Sequence, residues 1–105
     1  MPIKTKKWDV VNFLKTPDDM AAYLEAALEE NDPAFFAVAL GDVARARGMT
    51  DVARQAGVSR ESLYRSLSAG GNPEFATIVK VMGAMGLRMS VVASDGELTD
   101  AGLQA

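Results

Sequence analysis

Cysteine and histidine are both absent from this sequence of 105 residues. The first absence excludes disulfides, thiolate metal ligands and cysteine nucleophiles. The second removes the commonest general base, so the usual hydrolytic triads and zinc sites cannot be built. A phosphate-binding loop of the Walker type and a G-x-G-x-x-G segment are missing as well. We therefore predict that the protein is not an enzyme, and we expect no metal and no other cofactor.

The carboxylates that remain do not suggest a catalytic pair. Asp18-Asp19 and Glu29-Glu30 are neighbours in the sequence, and neighbouring side chains on a helix point about 100° apart rather than at one substrate atom. We interpret both pairs as charges at helix ends and on solvated helix faces.

Long apolar runs are also missing. No stretch approaches the roughly 20 apolar residues of a membrane span, and the basic N-terminus MPIKTKKWD is not followed by the apolar region of a signal peptide. We expect a cytoplasmic protein with no membrane partner and no small-molecule ligand. Hydrophobic residues make up 49% of the chain and charged residues 24%, which indicates one folded globular domain.

The net charge of −3 conceals an uneven distribution of charge. Residues 1–8 hold three lysines and no acid, whereas residues 9–42 hold eight acids and one lysine, a net −7. Residues 43–90 hold seven basic and three acidic residues, a net +4. A surface that faces phosphates needs only a local basic patch, because screening limits charges to a range of about 8–10 Å. The overall charge therefore does not exclude a nucleic-acid partner.

Helix start and stop signals divide the chain. We predict a flexible basic arm over residues 1–8, one helical domain over 9–92 and a flexible acidic tail over 93–105. Asp9 can cap a short helix, and Thr16-Pro17 and Asp32-Pro33 each place a capping residue before a proline at the first helical position. Gly48 ends the third helix. The side chains predicted to face inward are Leu14, Met20, Tyr23, Leu24, Ala27, Leu28, Phe36, Ala39, Leu40 and Val43.

Two short helices joined at Gly57 are predicted over about residues 50–68. Thr50 can cap the first helix, which runs from Asp51 to Ala56, and Ser59 can cap the second. In a helix-turn-helix the two helices cross steeply, so the motif needs a small residue near the crossing, a glycine at the turn and aliphatic residues around it. The residues that supply these are Val52, Ala53, Ala56, Gly57, Val58, Leu63 and Leu67.

The other face of the second helix is a candidate reader of DNA. Arginine can donate two hydrogen bonds to guanine, and Ser59 at the helix start can hold a phosphate. The alternative is that the two helices only pack and that Arg60 and Arg65 are solvated. The residues predicted to bind DNA are Thr50, Arg54, Ser59, Arg60, Glu61, Tyr64 and Arg65.

The C-terminal part of the domain is predicted to hold one more helix and one short β-strand. The helix carries an inward stripe of Phe75, Ile78, Val79, Met82 and Met85. The strand, over about residues 87–92, alternates Leu87, Met89 and Val91 inward. A lone strand needs a partner, and the economical one is the same strand of a second copy, or a strand of another protein. Leu87, Met89 and Val91 are therefore the predicted dimerisation residues of a homodimer.

Several short sequence motifs follow one another over roughly residues 23–91. In order they are ENDP, LGDVARARGM, SRESLYR, NPEF and GLR. This order resembles the addiction-module antidote proteins, a branch of the Hig-type antitoxins with XRE-like domains, and the two short helices resemble the helix-turn-helix of λ-repressor-like regulators. The resemblance implies an all-α, λ-repressor-like DNA-binding domain, here with an N-terminal helical extension and the short C-terminal strand. One departure is Ser66, where the resemblance would favour an aliphatic residue.

The resemblance also implies a function. Such antitoxins bind a RelE/HigB-like ribonuclease toxin and repress their own operon as dimers, so the implied partners are operator DNA, the toxin and a second copy. Because toxins of that type are basic, the acidic segment is a candidate toxin surface, with Glu25, Glu29 and Glu30 as its binding residues. A solvated acidic helix face explains the same charges equally well. Two other functions stay open, a stand-alone XRE-type repressor without a toxin and a protein-binding module without DNA affinity.

Overall fold

A computed structural model describes residues 14–94 of the chain. The predicted arm over 1–8, the short helix begun at Asp9 and the predicted tail beyond residue 94 lie outside the described residues. The described part contains five helices and no strand, consistent with the predicted all-α class. The helices are α1 (Pro17–Leu28), α2 (Pro33–Arg47), α3 (Met49–Ala56), α4 (Arg60–Ser66) and α5 (Phe75–Ala84).

The first two helices begin as the sequence predicts. The Thr16 hydroxyl accepts a hydrogen bond from the Asp19 backbone N–H at 3.1 Å, and the Asp19 carboxylate accepts from the Thr16 N–H at 3.2 Å. This reciprocal capping box satisfies two backbone donors that a helix start leaves without partners. Asp32 caps α2 by accepting from the Ala34 N–H at 3.0 Å. A proline follows each cap at the first helical position.

The junction between α2 and α3 is a single residue. Gly48 has a φ of 116°, a conformation that costs glycine little, and its N–H donates to the Ala44 carbonyl at 2.9 Å. Because α3 already begins at Met49, the predicted cap at Thr50 is wrong. Thr50 lies inside the first turn of α3, and the residue before that helix is Gly48, which has no side chain to cap it.

The core is built around α3, which contacts α2, α4 and α5, while α1 packs on α2. Gly41 of α2 lies against the end of α4, where a side-chain carbon would overlap the Leu67 carbonyl oxygen. This close approach explains a glycine in the middle of a helix. The largest fully buried side chains are Leu40, Leu63, Leu67, Met85, Val43, Val52 and Val81.

Helix α5 is rolled differently from the prediction. Phe75 is 67% exposed and Val79 is 44% exposed, so their predicted burial is wrong, whereas Val81 is completely buried. The sequence of α5 fits two helical stripes with the same spacing, one starting at Phe75 and one starting at Ile78. The position of α3 selects the second stripe, and only the structure supplies that position.

The residues after α5 also differ from the prediction. Residues 87–92 do not form a strand in the described chain, because a strand needs a neighbouring strand to pair its backbone groups and none is present. Leu87 is half-buried against the core, as predicted. Met89 and Val91 were predicted to face inward, but they are 44% and 97% exposed.

Another error concerns the end of α1, where Leu28 is 53% exposed instead of buried. The helix ends at this residue, so its side chain lies beyond the contact with α2 that buries Leu24 and Ala27. Within residues 14–94, no helix combines the length and the apolar character needed to cross a membrane.

Candidate functional site

The turn between α3 and α4 is built on a left-handed glycine. Gly57 has φ 77° and ψ 30°, and its N–H donates to the Arg54 carbonyl at 3.2 Å. The Val58 N–H donates to the Ala53 carbonyl at 3.0 Å. Ser59 then caps α4, because its hydroxyl accepts from the Ser62 N–H at 3.0 Å. Two short helices joined at Gly57, with Ser59 as the second cap, are therefore confirmed.

The orientation of α4 is fixed by its buried leucines. Leu63 and Leu67 are both buried, as predicted, and they hold one face of α4 against the core. Ser66, the departure from the family pattern, is only partly buried, and its hydroxyl donates to the Leu63 carbonyl at 3.2 Å. A serine is tolerated here because its hydroxyl has a backbone partner.

The opposite face of α4 lines a shallow groove of about 600 Å³, here called the arginine groove. All seven residues predicted to bind DNA are exposed, but only four of them line this groove. Thr50, Arg54 and Ser59 do not. The complete lining is Arg60, Glu61, Tyr64, Arg65, Ser68, Ala69, Gly70 and Gly71.

The loop after α4 supplies the wall of the arginine groove that the sequence did not predict. Gly71 lies so close to α4 that a side-chain carbon would overlap the Ser66 and Arg65 carbonyl oxygens. Its N–H donates to the Ser68 carbonyl at 2.8 Å. The adjacent glycines in the sequence mark a turn, but they do not reveal which helix the loop folds against.

Asp51 contacts one of the predicted DNA-binding residues, and the sequence did not single it out. Its carboxylate pairs with Arg47 at 3.4 Å and with Arg54, and it accepts a hydrogen bond from Gln55 at 3.3 Å. One carboxylate is thus shared by two arginines, so the charge of Arg54 is partly balanced and the cluster keeps a net positive charge. By contrast, the structure gives Arg60 and Arg65 no carboxylate partner anywhere in residues 14–94. Both guanidinium groups line the arginine groove with no ion-pair partner in that range.

A chain of polar contacts connects α1, α2 and α4. The Tyr23 hydroxyl donates to Asp42 at 3.0 Å, and Arg45 pairs with the same carboxylate at 2.9 Å. The Arg45 guanidinium lies over the Tyr64 ring, 5.6 Å from its centre, which is within the range of a cation–π contact. Arg45 therefore supports the Tyr64 ring in the arginine groove from a position in the helix behind it.

Burial raises the pKa of the Tyr23 hydroxyl from 10.0 to about 12, and the hydrogen bond to Asp42 adds to the shift. Both causes oppose ionisation of the phenol, since the tyrosinate would be poorly solvated and would face a carboxylate. The Tyr23 hydroxyl is therefore a hydrogen-bond donor over the physiological pH range.

The acidic residues predicted to bind a toxin lie at the end of α1. Glu25, Glu29 and Glu30 are all exposed, and the first two are four residues apart, which places them on one helix face. None of the three forms an ion pair with another residue in the described range 14–94. Over the same range no three acidic side chains come together in a way that could hold a metal ion.

A protein-family model described as "Probable addiction module antidote protein" matches residues 4–93. The chain belongs to this family of addiction module antidote proteins. The matched residues include all five helices, and therefore both the arginine groove and the acidic residues of α1. Family membership makes the chain an antitoxin of a toxin–antitoxin module, with a toxin as its partner.

One relative of this antidote protein family comes from Haemophilus influenzae and carries the name "Uncharacterized protein". It is 45% identical over 94 residues, which cover 90% of this chain and 97% of the relative. The two proteins are therefore similar over nearly their whole lengths. No solved structure matches the chain.

Proposed function

We propose that the protein is a type II antitoxin that neutralises a RelE/HigB-like ribonuclease by direct binding and represses its own operon by binding operator DNA. The proposal assigns it no enzymatic activity, and it places the protein in the cytoplasm, where operon DNA and ribosomes are found. The two activities use different surfaces, the arginine groove for DNA and the acidic end of α1 for the toxin.

The observation that carries the DNA half is the exposed face of α4. Its buried leucines leave Arg60, Tyr64 and Arg65 facing solvent on one short helix. In a λ-repressor-like helix-turn-helix the second helix enters the major groove, where arginine can donate two hydrogen bonds to guanine. Ser59 and Thr50 then have hydroxyls near the backbone, where they can contact phosphates and set the register.

The arginines divide into two classes that a binding experiment can separate. Arg60→Ala should cost about 1–3 kcal/mol on the operator and relax base preference at one position. Arg54→Ala should weaken binding to all sequences by a similar factor, because Arg54 lies outside the arginine groove and a phosphate contact carries no base information. Fluorescence anisotropy with operator and scrambled duplexes measures both. Equal losses on the two duplexes for Arg60→Ala would show that this arginine does not read bases.

Repression by this type of domain requires a dimer, since two recognition helices read two half-sites one turn of DNA apart. We propose that Leu87, Met89 and Val91 supply the contact between copies. Support comes from the exposure of Met89 and Val91, which leaves apolar side chains without cover in a single chain. The segment can form the predicted strand when a second copy supplies the paired edge.

The toxin half of the proposal rests on charge. Toxins of this type bind RNA and are basic, so the exposed carboxylates of Glu25, Glu29 and Glu30 can steer and hold one. Reversing all three to lysine should abolish neutralisation while operator binding is kept or strengthened. Neutralisation that survives the reversal in a folded variant would place the toxin contact elsewhere.

The test of the whole proposal is co-expression with the product of the adjacent small gene, scored by growth and by co-purification. We expect the neighbour alone to arrest growth and this protein to restore it in a stable complex. A harmless neighbour that does not bind would favour a stand-alone repressor of the same fold.

A further inference from the structure

A second groove of about 320 Å³ lies between the α1–α2 turn and the start of α5. Its larger apolar lining residues include Leu28, Pro33, Phe36, Phe75, Ile78 and Met89. Residues 72–73 close one side, and the turn residues Asn31 and Asp32 close another. We call it the acidic groove, for the charges described below.

The apolar side chains of the acidic groove are grouped rather than scattered. Leu28 is 53% exposed, Phe75 is 67% exposed and Met89 is 44% exposed. Single exposed apolar residues are common on soluble proteins, but a group that lines one concave surface indicates an interaction site. These are also three of the residues for which the sequence predicts burial. Met89 also belongs to the proposed contact between copies, so Leu28 and Phe75 are the two exposed side chains of the groove that a different partner has to cover.

Four acidic residues belong to this lining or flank it in the sequence. Glu29 and Glu30 lie between the lining residues Leu28 and Asn31, Asp32 lines the groove itself, and Glu74 precedes Phe75. None of the four carboxylates is ion-paired with any residue in the described part of the chain. The basic residue next to the lining is Arg88, adjacent to Met89. The rim is therefore predominantly negative.

The negative charge beside the groove favours a basic partner over a second copy of the chain. In a two-fold contact with a second copy the same patch meets itself, so the four carboxylates of one copy would face those of the other. Like charges brought together in this way disfavour the contact. A basic partner gains from the same rim, because its cations approach unpaired carboxylates while an apolar side chain enters the groove.

We propose that the acidic groove receives an apolar segment of a basic protein partner, in which lysine or arginine residues flank the inserted side chains. The inference rests on the proposed function, under which that partner is the toxin. It goes further by dividing the contact into two parts. Apolar side chains in the groove supply most of the affinity, as buried anchors do at the centre of an interface, and the carboxylates of the rim steer the approach.

Matched substitutions test this division. Phe75→Ala and Leu28→Ala remove side chains that line the groove. The control variants are Val79→Ala, in α5 like Phe75, and Phe35→Ala, in α2. Both remove exposed apolar side chains that do not line the groove. The probe is the toxin encoded beside this gene, released from the co-expressed complex and refolded. Titration calorimetry measures affinity, light scattering measures the mass of the free antitoxin, and circular dichroism checks the fold.

We expect each groove variant to bind the toxin at least about ten-fold more weakly, and each control variant to stay within about three-fold of the wild type. Glu29→Gln combined with Glu30→Gln should flatten the salt dependence of binding, whereas Phe75→Ala should lower affinity by a similar factor at low and high salt.

The possible outcomes distinguish a failure of the groove proposal from a failure of the antitoxin function on which that proposal rests. If wild-type protein binds the toxin and the groove variants bind it equally well, the groove proposal is wrong and the antitoxin function stands. If wild-type protein does not bind the neighbouring gene product at all, the proposed function fails first. If Phe75→Ala converts a dimer into a monomer and leaves toxin affinity unchanged, the groove is an interface between copies and the proposal is overturned.

Discussion

The two grooves differ in sign, in lining and in how their side chains are held. The arginine groove is lined by a short helix whose orientation depends on buried leucines behind it, and its arginines have no carboxylate partner in residues 14–94. The acidic groove has apolar walls and a carboxylate rim. We propose a polyanion as the partner of the first groove and a basic protein as the partner of the second. A net charge of −3 describes neither surface, which shows why the partners of a chain are better inferred from local fields than from totals.

The largest expected effect is at Leu63, which is buried behind the arginine groove and holds α4 in its orientation. Leu63→Ala should lower the free energy of unfolding by about 2–5 kcal/mol, because truncation leaves a cavity in the core. Ser62→Ala, at the exposed neighbouring position, should change it by less than about 0.5 kcal/mol. Urea unfolding measures both, and similar values for the two variants would contradict the assigned orientation of α4.

Alanine substitutions at two helical glycines should change the stability of the fold in opposite directions. Gly41→Ala should destabilise the fold by about 1–3 kcal/mol, because the new methyl group overlaps the Leu67 carbonyl at the end of α4. Gly83→Ala, with open space around its position in α5, should stabilise by about 0.5–1 kcal/mol through helix propensity alone. Thermal unfolding should move in opposite directions, and two shifts of the same sign would contradict the close approach at Gly41.

A single side-chain hydrogen bond between α1 and α2, from Tyr23 to Asp42, is expected to have a smaller effect than the burial of Leu63. Tyr23→Phe removes the hydrogen bond to Asp42 and should cost about 1 kcal/mol at neutral pH. In the wild type, the raised pKa of Tyr23 also makes stability depend on pH. The unfolded chain releases the phenol proton near pH 10 and the folded chain only near pH 12, so the free energy of unfolding falls as pH rises through that window.

Because the lysines and arginines are the same in both proteins, a difference in slope between them reports Tyr23 alone. Tyr23→Phe should therefore show a shallower loss of stability between pH 10 and 12 than the wild type. Parallel curves over this window would mean that the Tyr23 hydroxyl ionises equally easily in the folded and unfolded chains.

Local signals in the sequence predicted much of this fold. Helix caps and tight turns depend on only a few neighbouring residues. The structure shows the predicted caps at Thr16, Asp32 and Ser59 and the predicted turn at Gly57. The predicted reader face of α4 follows in the same way, since burying Leu63 and Leu67 leaves only one face exposed. The exposed face of α4 could therefore be predicted without knowing the rest of the fold, whereas the loop that forms the other wall of the arginine groove could not.

The errors occur where the answer depends on distant parts of the chain. The stripe of α5 has two acceptable phases, and the position of α3 selects between them. The bond from Tyr23 to Asp42 joins residues 19 positions apart, which no short-range pattern indicates. The acidic groove was missed for the same reason. Its side chains follow the rules for burial in a core, and only the assembled chain shows that Leu28, Phe75 and Met89 are left uncovered.

The loop after α4 belongs to both grooves. Gly70 and Gly71 line the arginine groove, and the next two residues, Asn72 and Pro73, line the acidic groove. Any displacement of this short segment therefore reshapes two binding surfaces at once. Occupants of the two grooves are linked by the free energy needed to move their common wall, and that linkage acts equally in both directions. Gly71 is packed against the backbone of α4, so this common wall is in direct contact with the helix that carries the two arginines.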